Sequence, residues 1–153
     1  MAIGTDAAIE FFGTQTDLDS TSGTVADAAF SVAGDLTTFT QTSAQDVPQA
    51  SVILEATFSV APDANSSVAL FAQLIDIEGT NDAPVPTANY QSVFLGSFPV
   101  KDVTSIERYP IIISLPNNNA TQIYQFFIQN NAGQTISAGW TIFITPKTIG
   151  PKA

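Results

Sequence analysis

The chain has 153 residues, a size at which a single domain buries about 68–70% of the surface its unfolded form exposes. It contains no cysteine and no histidine, which removes disulfide frameworks, thiolate or imidazole metal sites and every nucleophile–histidine triad. Only 12% of residues are charged, against about 25% in an average domain, and the formal charge is −10. That charge is uneven. Residues 1–100 hold twelve of the fourteen acids and no Lys or Arg, and the four cations (Lys101, Arg108, Lys147, Lys152) all follow. Counterion release on nucleic acid or anionic lipid needs clustered Lys or Arg, so neither is an expected partner.

The first residues, MAIGTDAAIEFFG, lack the basic and long apolar regions of a secretory signal, and no apolar run approaches the ~20 residues of a membrane helix. Synthesis in a cytoplasm is the expectation. Residues 1–23 read as an extended arm whose segment IEFF either begins a strand or docks on a neighbouring subunit. Residues 24–146 read as the folded domain, and 147–153 as a tail.

Within that domain, 24–32 and 35–41 read as short strands, the first with Ala26, Ala28, Phe30 and Val32 sharing a parity. From Ser51 the alternation is clear, with Val52, Leu54, Ala56, Phe58 and Val60 on one parity and Glu55 and Thr57 on the other. Residues 68–75, VALFAQLI, are apolar almost throughout and so predict a central strand. A long acidic loop, 76–91, leads to a strand at 92–98. The block from Glu107 to Pro146 then predicts three strands (108–115, 122–130, 139–145) in a meander.

About eight strands and no helix predict an all-β, two-sheet antiparallel sandwich of jelly-roll type with extended terminal arms. Its expected core is Val52, Leu54, Phe58, Leu70, Phe71, Leu74, Ile111, Ile113, Phe126, Ile128, Trp140 and Ile142. One echo stands out. VAPDANSS (60–67) and SLPNNNAT (114–121) both place Asn three residues after Pro and then Ser or Thr, which suits two similar tight hairpins. They also make sequons at Asn65 and Asn119, for which the turn is the simpler explanation.

Chemistry has little to work with. The loop Asp76-Ile-Glu78-Gly-Thr-Asn81-Asp82 gathers oxygen ligands that calcium could use, yet acidic loops are common without metal, and no metal or other cofactor is expected. The pairs Asp17/Asp19 and Asp76/Glu78 fix no carboxylate separation across a glycosidic bond, so no enzyme is expected. Trp140, Tyr124 and Phe126 could form a sugar-stacking platform or a core. The apolar residues of the terminal segments, Ile9, Phe11, Phe12 and Ile149, are the candidate partner-binding arm.

The run FSVAPDANSSVALFAQLIDIEGTNDAPVPTANYQSVFLGSFPV, with the closing AGWTIFITPK, resembles virion structural proteins of tailed bacteriophages, of the capsid decoration or cement type. The likeness spans roughly residues 50–148. It implies a protein on the virion's capsid exterior, bridging major capsid protein subunits as a dimer or trimer, and it carries over no catalytic or ligand residue. An adsorption module of a phage tail or fibre, binding host carbohydrate, is the alternative.

Overall fold

The computed structural model describes residues 8–19, 21–41, 49–77, 81–91, 93–116 and 121–151, the side chains of 8–11 and 148–151 excepted. These residues form nine strands: β1 (Ala8–Phe12), β2 (Thr16–Asp17), β3 (Phe39–Thr40), β4 (Gln49–Ala56), β5 (Ser67–Ile75), β6 (Phe94–Pro99), β7 (Glu107–Ser114), β8 (Ile123–Asn131) and β9 (Thr141–Pro151). One sheet has the order β1-β9-β4-β7 with β2 also on β9, and the other has the order β3-β8-β5-β6. Every pairing is antiparallel. Counting β1 and β2 as one interrupted strand gives eight, in the interleaved order of a jelly roll.

Burial follows the pleat. In β4 the alternation is strict, with Ala50, Val52, Leu54 and Ala56 sealed and the residues between them half-buried. Strands β5 and β8 lie inside their sheet, are almost continuously apolar and are buried on both faces. Ten of the twelve expected core residues are buried; Leu74 and Ile111 are partly so and pack against the core. Tyr124, Phe126 and Phe39 fill one region, with ring centroids 6.1–6.5 Å apart. A second cluster of Ala69, Phe71 and Phe127 lies on the opposite face of the second sheet, capped by Phe30.

The structure revises four expectations. The block from 107 to 146 is no meander: β7 and β9 belong to the first sheet and β8 to the second. Its short connections cross between sheets, which lets each strand find a partner far away in sequence. The echoed turns are likewise crossings of one kind, β4 to β5 and β7 to β8, and not hairpins; Asn65 takes the left-handed conformation (φ 62°) that such a turn needs, and Asn119 lies outside the described residues.

Residues 24–32 make no regular strand. Ala29 N–H turns back to Ala26 O, and Ala28 has φ 60°, so parity breaks; Val25 and Ser31 are buried while Val32 is 66% exposed. The segment instead follows the edge of β8, through Ala28 N–H to Asn130 O (2.7 Å) and Ser31 N–H to Ile128 O (2.9 Å).

Finally, the boundaries at 23 and 146 do not separate arm, domain and tail. Leu18 is fully buried in the core, the Trp140 indole donates to Gly23 O (2.9 Å), and Ser22 donates to Trp140 O (2.6 Å). Residues 147–151 continue β9. The two terminal segments are extended, and they pair with each other.

Candidate interaction surface

Strands β1 and β9 form a two-stranded ribbon in which Ile9 faces Gly150, Glu10 faces Ile149, Phe11 faces Thr148 and Phe12 faces Lys147. All four residues of the expected partner-binding arm therefore meet in one element. Phe12 is 63% exposed. Between Gly13–Pro146 and Thr16–Ile144, β1–β2 advances three residues while β9 advances two. That extra residue is a bulge, which bends the strand between its ribbon half and its sandwich half.

The outer face of the first sheet is legible from its register. Ile53 of β4 lies opposite Phe143 on one side and Pro110 on the other; Ser51 lies opposite Thr145 and Ile112; Glu55 lies opposite Thr141 and Arg108. Ile112 is 64% exposed, Pro110 is exposed, and Ile53 and Phe143 are half-buried. Arg108 lies across this face, its Nε donating to Glu55 and its guanidinium 5.5 Å from the centre of the Phe143 ring. Sequence reading missed this face because 108–115 is apolar on both parities, which hides which residues turn outward.

An open hollow of about 300 Å3 beside it is lined by Glu55, Ile106, Glu107 and Arg108. It holds two carboxylates, but each faces a cation: Glu55 takes Arg108, and Glu107 takes Lys101 Nζ at 3.0 Å. Both are engaged by donors on the surface. The nearest inward neighbour in β7, Tyr109, has its hydroxyl buried with no hydrogen-bond partner of good geometry among the described residues. Burial pushes that phenol above its ordinary pKa and the Glu107 charge adds to the rise, while the Lys101 backbone and charge pull the other way.

The remaining candidates are dispersed. Asp17 accepts from Thr141 Oγ1 (2.8 Å) and from Asp19 N–H (2.9 Å), which ties β2 to β9. Asp82 accepts from Asp76 N–H (3.0 Å), closing the acidic loop on itself, and Glu78 lies outside the described residues. Trp140, Tyr124 and Phe126 are each no more than 1% exposed, so none of them offers a ring face to solvent. Among the described residues, the exposed aromatic side chains Phe12, Tyr90 and Phe94 sit on the ribbon, the long loop and β6.

What pins the long connections is a set of buried or half-buried amides. Gln73 donates to Ala83 O, Gln122 to Ile75 O and Gln125 to Leu36 O. Asn130, fully buried, donates to Val25 O (2.9 Å) and Gln134 O (2.7 Å) and accepts from Ala132 N–H (3.0 Å). Each of these bonds ties a connection to the strand or loop beside it and leaves no buried amide without a partner there.

No protein-family model matches this chain, and no curated protein matches it. Among solved structures it is similar to the C-terminal CBM6 of LamC, a marine laminarinase from Zobellia galactanivorans, with 10% identity and a TM-score of 0.39 over 92% of this chain and 98% of that one.

Proposed function

We propose that this protein is a non-enzymatic virion structural protein that binds the outside of a bacteriophage capsid and bridges major-capsid subunits, acting as a dimer or trimer. The observation that carries the reading is the outer face of the first sheet, where Ile112, Pro110, Ile53 and Phe143 form adjoining apolar positions around one anchored arginine. A rigid sheet with an apolar, weakly charged face and a polar rim suits a lasting protein contact. The ribbon, with Phe12 exposed, gives the same sheet a second point of attachment.

The sugar-binding alternative loses its platform, because the three aromatic residues nominated for it lie in the core. The test is cosedimentation of the purified protein with preformed shells, followed by heating of coated and bare shells. Coating in many copies, a raised rupture temperature, and loss of coating in Ile112→Asp are expected. Binding to isolated tails or host glycans with no binding to shells would overturn the proposal.

A further inference from the structure

Four strands lie at the margins of the two sheets, and three of them are blunted. Strand β3 is two residues long, β7 carries Pro110 in its middle and a charged pair at its start, and β6 ends on Pro99 after an irregular step opposite Leu70 and Phe71. Such devices keep a row of unpaired backbone groups from pairing with another chain. Strand β1 has no proline and no irregular step within it, and the charge of Glu10 is its one such device. Its sequence AIEFF contains no proline, no lysine and no glycine, and among the described residues nothing pairs with its other side.

The direction of each backbone group follows from one hydrogen bond. Gly13 N–H donates to Pro146 O at 2.8 Å, which makes Gly13–Pro146 a hydrogen-bonded pair. Such pairs alternate in antiparallel strands. Phe11–Thr148 and Ile9–Gly150 are therefore bonded to β9, and Ala8, Glu10 and Phe12 turn their N–H and C=O groups outward. Three consecutive outward residues offer up to six main-chain hydrogen bonds to an added strand.

Charge selects the occupant. Glu10 is the middle one of the three outward residues of β1, and no Lys or Arg occurs anywhere in residues 1–100. A second copy of this chain added antiparallel at the same centre would set Glu10 against its own kind, which is unfavourable directly across a strand pair. We infer that the outer edge of β1 is a strand-addition site for an extended, lysine- or arginine-bearing segment of a partner protein. Main-chain bonds then supply the affinity, and Glu10 chooses the partner by sign. The inference rests on the assembly reading above and names its point of contact.

The test uses the full chain and three defined peptides: an alternating lysine–valine octapeptide, its glutamate–valine counterpart, and the lysine–valine peptide with a central proline. Fluorescence anisotropy should show the first binding at least tenfold tighter than the other two, and at least fivefold weaker in 500 mM salt than in 50 mM. Amide exchange followed by NMR should slow at Ala8, Glu10 and Phe12 on addition of that peptide.

Glu10→Pro removes an outward donor together with the acid, and Phe12→Pro removes an outward donor with the acid kept; both melting temperatures should stay within a few degrees of the parent while peptide affinity falls at least tenfold. Equal binding of the acidic peptide, or unchanged binding by both proline variants, would overturn the inference. So would protection of the three outward amides that grows with protein concentration alone, since the occupant would then be a second copy. Shell coating separates the two proposals. Coating that persists in both proline variants overturns strand addition and leaves the capsid reading standing, whereas a parent protein that coats no shell overturns the capsid reading.

Discussion

Replacing Asn130 by Asp changes almost no volume and reverses the chemistry of one end of the side chain. In the native protein Nδ2 donates to two carbonyls, Val25 O at 2.9 Å and Gln134 O at 2.7 Å, in a site with no solvent exposure. A carboxylate there would face two acceptors. The folded protein can escape by taking up a proton, and at pH 7 protonating a carboxyl of ordinary pKa (about 3.9) costs about 4 kcal/mol, from roughly three pH units at 1.36 kcal/mol each. The protonated form has one donor where the amide had two, so one carbonyl loses its partner at a further cost of about 1 kcal/mol.

Asn130→Asp should therefore lose about 3–5 kcal/mol at pH 7. The sign of its pH dependence is set by a folded pKa raised above the unfolded one. The deficit is smallest below about pH 4, where both states are protonated, and grows as pH rises toward the folded value. Urea unfolding of parent and variant at matched pH values between 4 and 7 gives the difference directly, with other titrations cancelling. A deficit below about 1 kcal/mol at pH 7, or one that does not change with pH, would refute the assignment of Asn130 as a double donor.

Gly133 has φ 75°, and a Cβ there would stand 2.2 Å from Asp63 Oδ2; Gly133→Ala should cost about 1–3 kcal/mol in denaturant unfolding, with Asp63→Ala in the same chain returning the contact part and not the backbone part. Phe126→Ala empties a site that is 1% exposed and stacked on Tyr124 at 6.1 Å, so a loss of about 3–5 kcal/mol is expected, and a loss below about 1 would remove Phe126 from the core. Tyr109→Phe deletes a buried hydroxyl with no partner of good geometry among the described residues and should be neutral or stabilising by up to about 1 kcal/mol. Because the folded phenol is raised, the parent keeps this part of its stability below about pH 10 and loses it as pH rises above that; Tyr109→Phe should flatten that alkaline slope in thermal melts.

The fold class was legible because β4 alternates without a fault and because β5 and β8 are too apolar to face water on either side. Which sheet each strand joins was not, since a strand carries no mark of whether the next turn returns beside it or crosses the sandwich; hence the misread meander from 107 to 146. Residues 24–32 misled for a different reason: their hydrogen bonds go to the edge of β8, yet Asn130, the side chain that fixes them, lies a hundred residues on. The interaction face was hidden in the same way. Ile112 and Ile113 look alike in sequence, and only the pairing with Ser51 and Ala50 turns one to solvent and the other inward.

Strand β9 lies between β1–β2 and β4, and it is the last of the nine described strands. As the polypeptide leaves the ribosome, β3, β5, β6 and β8 are all present once Asn131 has emerged, so the second sheet can assemble on its own. The first sheet cannot. Until Thr141–Pro151 arrives, β4 and β7 form a pair with one long side open, and β1 and β2 have nothing to pair with. Val52, Leu54 and Ile113 then line a half-built core until contacts between β1 and β9 close a loop of about 140 residues, a kind of closure that is slow in general. A chain with few charges and an unpaired first strand is most vulnerable to its neighbours in that interval. The twelve acids of its first hundred residues are all made before β9, and their mutual repulsion opposes contact between nascent copies while the sandwich waits for that strand.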